Sequence, residues 1–381
     1  MYDAIVVGGG IVGAATAHQL VERGQDTLLV DRRDEGRATD AGAGILSPAT
    51  SSRSDSDDWF GLATAAFQYY PSLIAELESK GASATGYDRC GLLKVAVSDD
   101  ELESFERTSR RVEERMRTGG FPDPDRIERL SPADARDRFP PLATCQGALY
   151  FEQAARVDGQ LLTKAMRAIA RDAGLTELDA SVDRLVLDED SIAGVRTADG
   201  TTHATRTVVI AGGAWSGTFG DQLGVRLPVS PQRGQIIHLG VSSEKTGSWP
   251  AIGAFRGHYI VPRVDGRVAV GATRESGVGF DPHPTADGVR EVLAEAIRVA
   301  PGLGDATLEE VRVGLRPASA DGLPILGAIP DVDGAYVATG HGSTGLQLGP
   351  YSGKLVADLV VGKEPDVDRS AFDPTRFGSN S

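Results

Sequence analysis

One stretch of sequence decides the fold: Asp3-Ala4-Ile5-Val6-Val7-Gly8-Gly9-Gly10-Ile11-Val12-Gly13-Ala14-Ala15. Its apolar, β-branched run at residues 5–7 is typical of a buried parallel strand. The glycines that follow have the spacing G-x-G-x-x-G. Gly8 permits a tight turn, Gly10 lets a pyrophosphate approach the backbone, and Gly13 lets the next helix pack close to the strand. The stretch therefore predicts a strand, a turn and a helix that bind a dinucleotide.

The residues that follow support this interpretation. A helix is expected from Ile11 to about Glu22, with its free N–H groups and the positive end of its dipole directed at phosphates. Gly24 is well placed to end that helix. A second apolar strand at residues 27–30 ends in Asp31, whose carboxylate can accept hydrogen bonds from a ribose. A glycine-rich turn without a nucleotide is the alternative, and this ordered context disfavours it.

Composition limits the class of protein. The 381 residues permit one large or two medium domains, and 40% hydrophobic residues with 47 glycines suit a globular α/β enzyme. The formal charge is −15, and no basic stripe exists to meet phosphates, which argues against nucleic acid as a partner. A salt-adapted cytoplasm and an ordinary acidic protein explain the diffuse acidic surface equally well.

Cysteine, histidine and hydropathy patterns add further expectations. Cys90 and Cys145 form no C-x-x-C pair and are interpreted as small core residues without a disulfide. The six histidines show no ligand spacing, so no metal is predicted. The chain enters its first strand without a signal peptide, and no apolar run reaches membrane-spanning length. We therefore expect a cytoplasmic protein, and a homo-oligomer is left open.

Further along the chain, local signals predict the remaining elements. Small residues at 38–48 would let a flat ring system approach the backbone, although an ordinary small-residue loop is the alternative. Residues 51–58 are interpreted as a mobile surface turn. A meander is expected over 181–210, with a hairpin turn at Asp199-Gly200, and a second hairpin around Asp265-Gly266. A last strand at residues 335–339 leads into a glycine-rich turn and a helix.

Taken in order, these motifs resemble the D-amino acid oxidase superfamily of flavoenzymes, and within it the glycine oxidase, sarcosine oxidase and D-amino acid dehydrogenase group. The resemblance rests on Asp31 and on residues 8–13, 43–46, 209–215, 259–263, 314–317 and 340–342. It implies an α/β fold (α+β overall) with a Rossmann-like FAD-binding domain and a second, mixed antiparallel-sheet substrate domain. The first would comprise residues 1–88, 148–216 and 314–381, and the second residues 89–147 and 217–313.

The resemblance also implies FAD as cofactor and the residues around it. Some sarcosine oxidases tether FAD to a cysteine just after the position of Arg316, but residues 317–320 contain none, so noncovalent FAD is expected. His341 is expected to order the backbone or contact flavin rather than act as a general base. The implied cofactor-binding residues are Gly8, Gly10, Ile11, Val12, Gly13, Asp31, Arg32, Thr39, Ala43, Gly44, Ile45, Val182, Gly212, Trp215, His341, Gly342, Ser343, Thr344, Gly345 and Leu346.

The implied reaction is oxidation of the C–N bond of a small amino acid or secondary amine such as glycine, sarcosine or a D-amino acid. Hydride would pass to flavin N5, and the resulting imine would hydrolyse to an oxo acid. One alternative is a D-amino acid dehydrogenase that passes electrons to a quinone or carrier rather than to oxygen. Another is a nucleotide-binding subunit without activity of its own.

Three residues are predicted to act on the substrate. Arg316 matches the family's carboxylate-binding arginine, with a structural salt bridge as the alternative. Tyr259 matches a tyrosine that assists at the carboxylate, with a merely packed tyrosine as the alternative. Related glycine oxidases often carry an arginine where Ser343 stands. Either Arg274 supplies a second cation, which would favour substrates with a second acidic group or a bulkier polar tail over glycine, or the substrate differs. A surface arginine is the alternative for Arg274.

Overall fold

A parallel sheet forms around the first strand in the computed structural model, which describes residues 1–242 and 246–378. Residues 379–381 of the predicted FAD domain therefore lie outside the described part. All four residues of Ala4–Val7 are buried, as expected for a strand covered on both faces. The sheet has six strands and is parallel except at its first edge strand. Their spatial order is Ile325–Ala328, Ala335–Thr339, Val208–Ile210, Ala4–Val7, Thr27–Val30 and Thr176–Leu178.

A second, nine-stranded sheet is mostly antiparallel. Its long strand Val229–Gly240 pairs on one side with Thr307–Ser319 along its whole length, and on the other with Glu275–Ser276 and Arg267–Gly271. From Arg267–Gly271 the sheet continues through the strands Tyr259–Pro262, Ala251–Ala254, Leu92–Ala96, Gly147–Phe151 and Ile127–Leu130. Among the described strands of this sheet, Ala251–Ala254 and Leu92–Ala96 are the one pair that is parallel. The predicted fold class, a Rossmann-like sheet with a second, mixed antiparallel sheet, is confirmed.

Two smaller sheets and the helices complete the fold. The meander consists of Val182–Asp188, Ser191–Thr197 and Thr202–Ala204, and a two-stranded sheet pairs Ile45–Leu46 with Ala155–Arg156. The α-helices span Ile11–Glu22, Ala38–Ala41, Asp57–Ser79, Leu102–Gly119, Pro132–Arg138, Gly159–Asp172, Ala286–Val299 and Gly345–Val360.

The last helix, Gly345–Val360, packs on the first helix, Ile11–Glu22. Glycines allow the close approach: a Cβ on Gly353 would lie 2.7 Å from the Cβ of Ala15, and one on Gly349 would lie 2.9 Å from a methyl of Ile11. The chain's last helix thereby holds the first helix, and with it the glycine turn, in place.

The predicted division into two domains stays a prediction, and strand pairing bears on two of its boundaries. The sequence places residues 148–216 in the FAD domain, yet Gly147–Phe151 pairs inside the nine-stranded sheet. The boundary at residue 314 falls inside the strand Thr307–Ser319. Strand pairing therefore favours moving the first boundary past residue 151. It also favours dividing the strand Thr307–Ser319 between the FAD domain and the substrate domain.

Candidate active site

A cavity of about 620 Å³ lies between the glycine turn and the nine-stranded sheet. All but one of the predicted cofactor residues line it. The exception is Gly13, which lies behind the turn, where a Cβ would come within 1.8 Å of the carbonyl oxygen of Gly8. Gly13 therefore serves helix packing. All three predicted substrate residues, Tyr259, Arg274 and Arg316, also line the cavity.

The turn has the shape that a phosphate site requires. Gly8 has φ +105°, and a Cβ there would lie 2.5 Å from the carbonyl oxygen of Ala211, so only glycine fits. The following helix starts after Gly10 without a side-chain cap. Its first N–H group, of Ile11, donates to Oγ1 of Thr39 at 3.0 Å. Apart from this contact the helix N-terminus has no side-chain cap from Gly10, and its place at the cavity wall suits an anion.

Asp31 stands at the tip of the second strand and is 8% exposed. Its Oδ2 accepts from Arg37 at 2.9 Å and from Arg167 at 3.2 Å. These two guanidiniums orient the carboxylate beside the cavity. Nearby, the guanidinium of Arg32 lies 5.5 Å from the centroid of the Trp215 ring. Asp31, predicted to bind a ribose, and the predicted cofactor-binding residues Arg32 and Trp215 thus all line the cavity.

A buried amide also fits a bound cofactor. Gln347 lines the cavity and accepts through Oε1 from the backbone N–H of Ser47 at 3.2 Å. Its Nε2 is buried and has no hydrogen-bond partner among the described residues. Such a donor is costly to leave unpaired, and a ligand in the cavity can satisfy it. The residues present therefore fit an FAD.

His341 is fixed rather than free to exchange protons. It is 2% exposed, and its Nε2 lies 3.0 Å from Oγ of Ser352 on the last helix. Burial lowers the pKa of His341 to about 4, so the ring is neutral near pH 7. Its carbonyl oxygen accepts from both the N–H and the hydroxyl of Thr344. This geometry supports the prediction that His341 orders the turn.

Arg316, on the strand Thr307–Ser319, and Tyr259, on the strand Tyr259–Pro262, meet at the cavity wall. Nη1 of Arg316 donates to the carbonyl oxygen of Thr273 at 2.8 Å, and the guanidinium also bonds with the Tyr259 hydroxyl. Burial lowers the pKa of Arg316 and raises that of Tyr259, while each partner opposes the other's shift. A hydrogen-bonded guanidinium and phenol on one wall can hold a carboxylate.

Arg274 turns toward this wall, although part of its side chain is exposed. Its Nη1 donates to the carbonyl oxygen of Gly257 at 2.8 Å. The Arg274 guanidinium contributes to lowering the pKa values of Arg316 and Tyr259, which places its charge near both. Ser343 also lines the cavity.

Several further cations line the cavity and were missed from the sequence, and two of them, Arg53 and Lys94, lie near Arg274. Arg53 donates through Nη1 to the carbonyl oxygen of Gly322 at 2.6 Å, and burial together with Arg274 lowers its pKa. Lys94 donates to the carbonyl oxygen of Ala254 at 3.0 Å. Burial, reinforced by nearby arginines, lowers the pKa of Lys94 to about 8.

The interpretation of residues 51–58 as a mobile surface turn was wrong. Ser52–Asp55 forms a 3₁₀ helix, and Asp57 begins a long α-helix. Ser51 and Arg53 line the cavity. The available signal for Lys94 was a lysine inside the otherwise apolar strand Leu92–Ala96, since lysine is rarely buried without a function.

The fold and the site together define a dinucleotide-dependent enzyme with a cationic substrate pocket. Comparison with known proteins identifies its family. The chain belongs to the FAD dependent oxidoreductase (DAO) family, whose model matches residues 3–359. It is accordingly an FAD-dependent oxidoreductase of amino acids or amines, and an inactive nucleotide-binding subunit is not supported.

Similar proteins cover nearly the whole chain. The uncharacterized oxidoreductase YurR of Bacillus subtilis is 38% identical over 98% of this chain and 99% of its own length. Glycine oxidase of Pseudomonas putida is 32% identical over 98% of each chain. The structure of an iminodiacetate oxidase from Chelativorans sp. BNC1 matches with a TM-score of 0.90 and 37% identity, over 97% of this chain and 98% of that one.

Hydropathy bears on membrane association. Within residues 1–242 and 246–378, no helix is long and apolar enough to cross a bilayer. The cytoplasmic location stays a prediction.

Proposed function

We propose that this enzyme oxidises small amines that carry a carboxylate on the α-carbon, with noncovalently bound FAD. Arg316 carries the proposal, because its guanidinium lines the cavity and no carboxylate of the described residues lies within 4.0 Å of it. A partly desolvated arginine without a counter-ion is suited to an anionic ligand. Tyr259 adds a hydroxyl beside it.

The residues of the chain divide the work of binding and orientation. Arg316 and Tyr259 would fix the carboxylate, and this fixes the position of the adjacent carbon–nitrogen bond in the cavity. FAD, when bound, supplies the hydride acceptor. The names of the similar proteins, glycine oxidase and iminodiacetate oxidase, support the proposal, because glycine and iminodiacetate are both small carboxylated amines.

The test is a substrate panel on the purified holoenzyme. Glycine, sarcosine, D-alanine, D-proline, D-glutamate and iminodiacetate are mixed anaerobically with the enzyme, and flavin bleaching is followed. Reoxidation by air or by an artificial acceptor then separates an oxidase from a dehydrogenase. Bleaching by none of these amines would contradict the proposal.

A matched pair of arginine variants tests the carboxylate anchor. Arg316→Met should retain FAD but lose about 2–5 kcal/mol of transition-state binding, the cost of breaking a desolvated charge pair. This corresponds to a drop in kcat/KM of roughly 30-fold to several thousand-fold. Arg312→Met is the control, because Arg312 lies on the same strand, pairs with Glu310 at 2.8 Å and does not line the cavity. Equal kinetics in both variants would contradict the role of Arg316.

A further inference from the structure

We propose that Lys94, Arg53 and Arg274 form a second anion subsite beside Arg316, so that the preferred substrates are amines carrying two carboxylates. The inference rests on the proposed function, since it assumes that the first carboxylate binds Arg316. It concerns the substrate class of the same cavity. All substrates of this class have a second carboxylate, either on the side chain of the amino acid or on a second substituent of its nitrogen.

The charge balance of the cavity gives the first argument. Of the cations that line it, Arg111 pairs with Asp55 at 2.6 Å. By contrast, the described residues place no carboxylate within 4.0 Å of a second set of cavity cations, namely Arg53, Lys94, Arg274 and Arg316. A substrate with one carboxylate would neutralise one of these four charges. Like charges in a partly desolvated cavity repel each other, so a second negative group on the ligand is favoured.

Strand register gives the second argument. Lys94 lies opposite Gly253, and Gly253 lies opposite Tyr259, on three adjacent strands. Residues paired across a sheet present their side chains on the same face, so Lys94 and Tyr259 share one face with a glycine between them. Two strand spacings separate their Cα atoms by about 10 Å. The absent side chain at Gly253 makes room for the Lys94 ammonium, which lies 3.7 Å from the position that a Cβ on Gly253 would occupy. The ammonium therefore reaches over the middle strand toward the strand of Tyr259.

The contacts of Lys94 show that it has bonding capacity left. Its ammonium donates to the carbonyl oxygen of Ala254 and lies 4.3 Å from the ring centroid of Phe255. An ammonium has three donors, and the described residues provide one hydrogen-bond acceptor for them. Glu101, the acid whose charge raises the pKa of Lys94, is itself bonded to Arg298 at 2.8 Å. A ligand carboxylate would complete the coordination of Lys94.

Arg53 and Arg274 flank the same region. Nη2 of Arg53 lies 3.3 Å from the position that a Cβ on Gly342 would occupy, next to the turn of His341. Both guanidiniums hydrogen-bond to backbone carbonyl oxygens, which fixes their positions without neutralising their charge. The charge of Arg274 contributes to lowering the pKa values of Arg53, Lys94 and Arg316, so its guanidinium lies near all three cations.

A pair of unreactive ligands isolates the second subsite from turnover. Succinate and propionate are titrated into the oxidised holoenzyme, and the change in the flavin absorption spectrum gives each Kd. Succinate should bind at least about tenfold more tightly than propionate, because only succinate can form the second charge-assisted contact. Lys94→Met and Arg274→Met should each reduce that ratio to below about threefold, with little change in propionate binding.

Lys164→Met is the control, because this exposed helix residue lies away from the cavity. If Lys94→Met fails to fold, Arg274→Met still tests the subsite, because Arg274 is exposed and its replacement leaves no cavity in the core. Equal Kd values for the two ligands in wild type, or an unchanged ratio in Arg274→Met, would overturn the subsite. The substrate panel separates the two proposals. Turnover of sarcosine together with equal Kd values for propionate and succinate rejects only the subsite. Tighter binding of succinate than of propionate, without flavin bleaching by any amine, rejects only the oxidation of carboxylated amines.

Discussion

Replacement of Gly13 by alanine tests the packing of the first helix against the glycine turn. A Cβ at this position would lie 1.8 Å from the carbonyl oxygen of Gly8, whereas ordinary contacts begin at 3.4 Å. The helix would have to withdraw by about 1.6 Å, the difference between these two distances. Overpacking costs about 1–3 kcal/mol, and alanine returns up to about 1 kcal/mol of helix propensity. Because the obstacle is backbone, we expect the upper end, a net loss of about 2 kcal/mol.

Urea unfolding of the holoenzyme at fixed excess FAD measures this loss, and dilution measures how readily FAD dissociates. Gly61→Ala is the matched control. Gly61 also lies inside a helix, Asp57–Ser79, but a Cβ there meets nothing within 4 Å. This variant should gain up to about 1 kcal/mol and keep its FAD affinity. Wild-type stability and FAD affinity in Gly13→Ala would refute the packing argument.

Two other predictions concern the cofactor and the second subsite. FAD should leave the protein on acid precipitation and colour the supernatant, because residues 317–320 offer no cysteine for a tether; colour in the pellet would contradict this. The preference for succinate over propionate should decline as pH rises through about 8, because Lys94 is a cation below its pKa and neutral above it. Lys94→Arg should remove this pH dependence, since arginine does not deprotonate in proteins, and an equal decline in that variant would assign it to another group. The charged groups that face Lys94 are Arg111, Glu101 and Arg274.

Much of the fold could be predicted because its signals are local. The glycine turn, the acid at residue 31 and the Asp-Gly hairpin turns depend on backbone conformations that few residues adopt. Gly200 and Gly266 indeed have φ values of +87° and +84°. The N-caps are local in the same way: Ser131 accepts from the N–H of Asp134, as its position before a proline suggests.

The cationic wall could be predicted only in part. Arg316 stood in a recognisable motif, and Arg274 was noticed through a departure from the family pattern. Lys94 carried only the weaker signal of a lysine in an apolar strand, because its place in the cavity depends on pairing between distant strands. Arg53 lies in the 3₁₀ helix Ser52–Asp55, which the sequence did not predict. The parallel pairing of Leu92–Ala96 with Ala251–Ala254 joins segments more than 150 residues apart. Such register is set by tertiary packing, so sequence spacing does not reveal it.

The strand Thr307–Ser319 has a mechanical consequence for the whole molecule. Within it, the N–H of Leu315 bonds to the carbonyl oxygen of Gly36 at 2.7 Å, and Ala318 bridges to His341. Arg316, which lies between these two contacts, is thus held by backbone hydrogen bonds of its strand to the segments around Gly36 and His341. A displacement of the substrate anchor relative to the glycine turn would break this ladder rather than bend a linker. We therefore expect substrate entry and product exit to proceed through loop and side-chain movements at the cavity mouth rather than through movement of this strand.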